Sequence, residues 1–269
     1  MATNGLRPIL ELRNISKRFG AVQALTRVDL TVHAGEVLGL VGDNGAGKST
    51  VIKTISGIHP ADTGEIVFDG RPVSIHSPQD AAALGISTVY QDLALCDNLD
   101  VVANLYLGRE AVGADAAGPL AVLDEVAMER RAITVLRDLA VRIPSVRIPV
   151  ASLSGGQRQS VAVARSVMWN SKVVLLDEPT AALGVAQTRQ VLDLIVRLKG
   201  QGLGVIVISH NLADVFEVCD RVAVLYLGRS VATFDLSQTT REQIVGAITG
   251  IGAGAVEGPD AAAGVAPQT

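Results

Sequence analysis

Residues 42–49 read GDNGAGKS and match the pattern G-x-x-x-x-G-K-S in full. Glycines at 42, 45 and 47 let backbone N–H groups converge on phosphate oxygens, and a helix starting just after them adds a favourable dipole. Lys48 is the candidate cation for β- and γ-phosphates, and the Ser49 hydroxyl a candidate ligand for Mg²⁺. Asp43, Asn44, Ala46 and Thr50 complete a nucleotide-binding segment over residues 42–50 that begins at Gly42 and includes Gly45 and Gly47. The plainer reading is a glycine-rich turn with a chance lysine. A second stretch, 173-VVLLDEP-179, delivers two carboxylates at the end of an apolar run. Asp177 is the candidate Mg²⁺ ligand, and Glu178 the candidate base that polarises a water facing the γ-phosphate. Two such carboxylates alone commonly mark a solvated turn; the cradle upstream gives them weight.

These residues need elements to hold them. Three runs, 37-VLGLV-41, 173-VVLL-176 and 205-VIVI-208, are almost uninterruptedly apolar, as parallel strands buried on both faces must be. Polar residues stand at their C-terminal ends, where open α/β sheets bind ligands. The pattern of 50-TVIKTISG-57 predicts the helix after the cradle. Residues 9–34 alternate in character and predict short strands, and Asp69-Gly70 predicts a hairpin turn within 66–73. Between Gln91 and Ser152 the spacing becomes helical, most clearly over 126–143, with a surface loop expected at 111–120. Twelve of the last nineteen residues (251–269) are Ala, Gly or Pro, which predicts a flexible tail. The cradle motif occurs once and no internal repeat is visible.

Composition narrows the function. The chain has 269 residues, 48% hydrophobic and 19% charged, enough for a buried core and against long disorder. Aromatics are 3% and net charge is −4, so neither base-stacking platforms nor a basic field points to nucleic acid. Cys96 and Cys219 are too few for a disulfide framework, so a reducing compartment is expected. The first fourteen residues lack an apolar stretch of signal-peptide length, and no segment approaches the ~18 apolar residues of a membrane span. A soluble or peripheral chain is expected.

Residues 153–157 read LSGGQ. Ser154, Gly155, Gly156 and Gln157 introduce the helical stretch 157-QRQSVAVARSVM-168, a second helix N-terminus suited to an anion. Ser154 also reads as an ordinary N-cap, and both readings hold together. With these residues the chain resembles the nucleotide-binding subunits of ATP-binding cassette (ABC) transporters over about residues 9–250. The ordered matches are Phe19, 42-GDNGAGKS-49, Gln91, 153-LSGGQ-157, 173-VVLLDEP-179 and His210. The resemblance implies that Phe19 stacks on adenine, though by itself it reads as a strand core residue. It implies that Gln91 senses Mg²⁺ and the attacking water and links the site to a membrane partner, and that His210 contacts the γ-phosphate. The resemblance further implies that the signature at 154–157 caps the γ-phosphate held by a second subunit, so that two ATP molecules are sandwiched in a head-to-tail homodimer. His33 stays unassigned, and His59 and His76 read as surface residues.

One departure stands out. The family often carries S-A-L-D after the strand carboxylates, and here 181-AALG-184 puts Gly184 in the aspartate's place. Importers of monosaccharides often show this glycine, and 98-NLDVVANLYLGRE-110 is similar to that branch. A single cassette matches the stand-alone fructose-type subunits, and the last nineteen residues are too short for the regulatory domain of maltose-type importers. The resemblance therefore implies an α/β fold: a P-loop nucleoside triphosphatase (ABC ATPase) core with an antiparallel β subdomain and a helical subdomain inserted at about 92–160. The ATPase domain is expected over 1–250 and the tail over 251–269. The implied function is Mg²⁺-dependent ATP hydrolysis driving sugar import, on the cytoplasmic face of the cell (inner) membrane. The implied partners are an integral-membrane sugar permease and, indirectly, an extracytoplasmic sugar-binding protein, with no nucleic acid. Rival readings are an ABC ATPase for another small polar cargo, a non-transport ABC ATPase, a P-loop kinase or GTPase, and a nucleotide-binding module without turnover.

Overall fold

The computed structural model describes residues 7–113 and 122–250. The tail at 251–269 and most of the loop expected at 111–120 lie outside the described residues. In chain order the elements are β1 (Pro8–Phe19), β2 (Val22–His33), β3 (Val37–Val41), α1 (Lys48–Ile55), β4 (Thr63–Phe68), β5 (Arg71–Val73), α2 (Pro78–Leu84) and β6 (Ile86–Val89). Then come α3 (Val101–Tyr106), α4 (Glu125–Asp138), a 3₁₀ turn (Val150–Ser152), α5 (Gly155–Val167), β7 (Val173–Asp177) and α6 (Val185–Gly200). The chain continues through β8 (Gly204–Ile208), α7 (Leu212–Val218), β9 (Arg221–Tyr226), β10 (Arg229–Asp235) and α8 (Arg241–Ile248).

Two sheets form. One is antiparallel, with strand order β2-β1-β4-β5. The other has order β10-β9-β3-β8-β7-β6; five of its strands are parallel and β10 returns antiparallel on β9. The apolar runs are explained by burial on both faces. Val173 and Leu175 of β7 pack with Leu10, Leu12, Leu38 and Leu40 beneath the antiparallel sheet. Val174 and Leu176 face the opposite way, onto α5 and α6 residues such as Val161, Val191 and Ile195.

Two expectations are corrected. Residues 9–34 form two strands of 12 residues each, not several short ones. Leu10 and Leu12 are buried in alternation, but the next core residue is Ile15, because Asn14 (φ 54°) inserts a bulge. Arg27 (φ 47°) sits at another irregularity. Bulges let the ladder continue where alternation breaks. The helix expected over 126–143 ends at Asp138. Ala140 takes a left-handed φ of 49°, and Val141 N–H donates to Leu136 O at 2.8 Å, closing the last turn although apolar spacing persists beyond it. The hairpin at Asp69-Gly70 is as expected, with φ of 49° and 72°.

His33, unassigned from sequence, is structural. Its Nδ1 lies 2.7 Å from the buried Glu36 carboxylate, which also accepts from Arg221 at 2.9 Å.

Candidate functional site

The cradle is the turn from β3 into α1. Gly42 has φ 154°, and a Cβ there would lie 2.3 Å from Leu225 O of β9. Gly47, the N-cap of α1, has φ 103°, and a Cβ would meet Leu25 at 2.9 Å and Ala24 O at 3.0 Å. Six of the eight described α-helices are capped by a side chain that accepts from the first turn: Ser77, Asp100, Asp124, Ser154, Asn211 and Thr240. α1 starts on glycine with no side-chain cap and no acid in its first turn. Its free N–H groups thus face the cradle, which fits a phosphate ligand.

Lys48 is buried and donates from Nζ to Gly42 O at 2.7 Å and Asp43 O at 3.0 Å. Desolvation pushes its ammonium pKa below the ordinary lysine value, against the pull of Glu178, Asp43 and Asp177. The Asp43 carboxylate accepts from Asn44 N–H at 2.7 Å, so its side chain serves the loop. Strand β7 carries Asp177 at its end, in register with Ile208 of β8. Desolvation raises the Asp177 carboxyl, opposed by Lys53, Lys48 and His210.

Glu178 takes a left-handed φ of 51° and donates its N–H to Ile208 O at 3.0 Å. That turn aims the carboxyl back into the cleft. Oε2 accepts from His210 N–H at 3.4 Å. Oε1 is buried without a hydrogen bond, although His210 Nε2 lies 3.0 Å away off the hydrogen-bonding direction. Desolvation raises the Glu178 carboxyl above the ordinary glutamate value, partly offset by His210. An orphaned buried oxygen at a cleft wall is suited to accept from a water or substrate group.

These groups share one cleft of about 500 Å³. It is lined by Asn44, Gly45, Ala46, Gly47, Lys48, Ser49, Thr50, Gln91, Asp177, Glu178 and His210. Ser49, Gln91 and Asp177 offer a hydroxyl, an amide oxygen and a carboxylate. That set fits Mg²⁺, which keeps waters and phosphate ligands of its own and needs few carboxylates from the protein.

Sequence reasoning missed Val22, Gln23, Ala24, Leu227 and Gly228, which line the same cleft. The turn at Leu227-Gly228 (φ 45° and 75°) braces the cradle: Gly228 N–H donates to Ala46 O at 3.0 Å, and Thr26 N–H donates to Gly228 O at 2.7 Å. A Leu-Gly pair between two apolar runs was its only signal.

Phe19 lies at the end of β1, outside that lining, and is 41% exposed, so it is not a core residue. His59 is half-buried against it, edge to face with ring centroids 5.0 Å apart, rather than free on the surface. Lys17 Nζ stands 5.6 Å from the same ring.

The signature residues lie away from this cleft, at the start of α5. Ser154 and Gln157 form a reciprocal capping box, with Gln157 N–H donating to Ser154 Oγ at 3.3 Å and Ser154 N–H to Gln157 Oε1 at 3.0 Å. Gly155 and Gly156 pack on the start of α6: a Cβ would meet Leu183 at 3.1 Å and Gln187 Cβ at 2.9 Å, respectively. Gly184 is the N-cap of α6, and Gln187 Oε1 accepts from its N–H at 3.2 Å.

An uncapped helix behind a glycine cradle, beside a strand-end carboxylate pair on a mostly parallel sheet, defines a P-loop nucleoside triphosphatase. The chain belongs to the ABC transporter family, whose pattern matches residues 25–181. It is 45% identical to the xylose/arabinose import ATP-binding protein XylG of Sulfolobus acidocaldarius over 92% of this chain and 96% of that one. It is 46% identical to the fructose import ATP-binding protein FrcA of Rhizobium meliloti, over 90% and 94%. The ribose import ATP-binding protein RbsA 2 of Burkholderia pseudomallei is 42% identical over 91% of this chain, which spans 47% of that longer relative. A nucleotide-free ATP-binding cassette from an ABC transporter superposes with TM-score 0.76 at 26% identity, covering 90% of this chain and 96% of that one.

Among the described residues, no helix is long and apolar enough to cross a membrane.

Proposed function

We propose that this chain is the ATP-hydrolysing subunit of a monosaccharide importer. The observation that carries the reading is the convergence of Lys48, Gln91, Asp177, Glu178 and His210 on one cleft beside an uncapped helix end. The relatives named for xylose/arabinose, fructose and ribose import support the cargo class. Fructose is the first cargo to assay, with the other pentoses and hexoses beside it.

In this reading Lys48 and the α1 N–H groups bind and orient the triphosphate, and Phe19 takes the base. Ser49, Gln91 and Asp177 would hold Mg²⁺, which when bound supplies positive charge against the phosphate oxygens. Glu178 accepts a proton from the attacking water, and His210 places a polar nitrogen toward the terminal phosphate. Catalysis is positioning and charge stabilisation without a covalent intermediate. Two chains pair head to tail, so that Ser154, Gly155, Gly156 and Gln157 of one close over the nucleotide of the other. Closure moves a membrane permease from its cytoplasmic face, where the chain is peripheral, and the stretch at about 92–160 acts as the helical subdomain.

The test is to co-purify the chain with its permease and measure ATP turnover with sugar-loaded binding protein. Stimulation by one monosaccharide is the expected result. Basal turnover that no monosaccharide stimulates would overturn the cargo, and absence of ATP turnover would overturn the enzyme.

A further inference from the structure

The cleft explains Gln91's place but not what holds it there. Gln91 is exposed and follows β6 by two residues, in a stretch without regular structure. What anchors that stretch comes from another element. Arg165, in the last turn of α5, donates from Nη2 to Leu93 O at 3.0 Å and from Nη1 to Ala94 O at 2.9 Å. Ala94 is held at a left-handed φ of 49°, a conformation alanine adopts only when its surroundings impose it.

The arginine is an expensive choice for this task. It is half-buried, and among the described residues no carboxylate pairs with it. Desolvation pulls its pKa below the ordinary arginine value. A rigid fork that spends its charge on two successive backbone carbonyls fixes both the position and the direction of a loop, which a lysine cannot do. The same helix begins at Ser154, in the signature turn.

We propose that Arg165 is a positioning residue for hydrolysis: it fastens the Gln91 loop to α5, so that Gln91 holds its place in the cleft only while α5 does. The inference rests on the reading of Gln91 given above. Arg165 touches no nucleotide group and acts through Leu93 and Ala94. Its loss therefore lowers kcat and leaves the cradle's grip on nucleotide intact.

The test compares wild type with Arg165→Met, Arg165→Lys, Gln91→Ala and the double variant Gln91→Ala/Arg165→Met. Arg165→Met removes both hydrogen bonds while keeping an unbranched apolar stem. Its kcat is expected to fall on the order of 10–100-fold, the loss from displacing a positioned group by about 1 Å, with KM for ATP within about 3-fold of wild type. Arg165→Lys recovers part of the loss. Because the arginine acts through Gln91, the double variant falls no further than Gln91→Ala alone; additive losses would overturn the proposal.

Hydrogen exchange reads the tether without hydrolysis. Peptides covering 91–96, in which Ala94 N–H donates to Asp92 Oδ1 and Cys96 N–H to Asn104 Oδ1, should exchange about 10-fold faster at those two amides in Arg165→Met, or in Arg165→Lys if the first variant does not fold, with β3 and β7 unchanged. Unchanged protection of the Ala94 and Cys96 amides overturns the proposal whatever the turnover. Absent wild-type hydrolysis, or a Gln91→Ala variant that hydrolyses ATP at the wild-type rate, overturns the functional reading instead, and the exchange result still decides the tether.

Discussion

Two glycines of one motif should fail in different ways. At Gly45 (φ 81°) a Cβ would meet nothing within 4 Å, so Gly45→Ala carries only backbone strain. Left-handed alanine costs about 1–2 kcal/mol, partly offset by a less flexible unfolded chain, for a net of about 1 kcal/mol. At Gly42 the Cβ would lie 2.3 Å from the backbone oxygen of Leu225, which cannot swing aside as a side chain could. Overpacking of about 1–3 kcal/mol adds to the strain and forces the end of β3 from β9, for a total of about 3 kcal/mol or more. At roughly 2–4 °C per kcal/mol in a domain of this size, Gly45→Ala should melt about 2–4 °C below wild type and Gly42→Ala about 6–12 °C below. Thermal melts followed by circular dichroism, with ATP titration of the folded variants, make the comparison. Gly45 lines the cleft, so its variant should lose more nucleotide affinity than stability. A Gly45→Ala melt as low as that of Gly42→Ala would refute the reasoning.

Glu178→Gln should nearly abolish turnover while sparing ATP binding; hydrolysis at the wild-type rate in a steady-state assay would remove Glu178 from the base's role. Because burial raises this carboxyl, its charged form is the one the fold disfavours, and the penalty grows as pH rises through the raised value. Glu178→Gln should therefore melt above wild type at pH 7, with the gap closing as pH falls toward about 4, and the acid limb of wild-type turnover should stand above the ordinary glutamate range of about 4.3. Lys48→Ala should weaken ATP binding itself in a calorimetric titration, because a cation paired with phosphate is lost; unchanged affinity contradicts the cradle. Ser154→Arg should bind ATP as a monomer yet block closure, and mixing it with Lys48→Ala should restore partial turnover, since one composite site of the mixed dimer carries both lesions and the other neither. No recovery in demonstrated mixed dimers counts against the shared site.

The parts of this molecule legible in its sequence are those fixed by short-range necessity. Parallel strands buried on both faces must be apolar throughout, so β3, β7 and β8 announce themselves, and their C-terminal ends point to Asp177 and Glu178. The cradle is a contiguous string in which Gly42 and Gly47 are forced by close approach of neighbouring atoms and Gly45 by its left-handed φ. Long-range devices left little trace. The bulges at Asn14 and Arg27 disguise two long strands, and alanine at position 140 ends α4 where glycine would have signalled a stop. Val22, Gln23 and Ala24 reach the cleft because β1 and β2 fold over the cradle. His59 looks like any polar loop residue until the fold sets it on Phe19, and Arg165 like any arginine of an amphipathic helix until its carbonyl partners 71 and 72 positions away are seen.

The missing side-chain cap on α1, at the mouth of the cleft, would give a bound nucleotide a part in stability as well as in turnover. An isolated helix of eight residues is marginal, and this one begins without the acceptor that six of its fellows carry. On the proposed reading a triphosphate seated on those N–H groups would complete the helix, and a ligand at 100 times its dissociation constant stabilises the folded chain it binds by about 2.7 kcal/mol. On that reading, the nucleotide that energises turnover would also raise the stability of the folded chain that binds it.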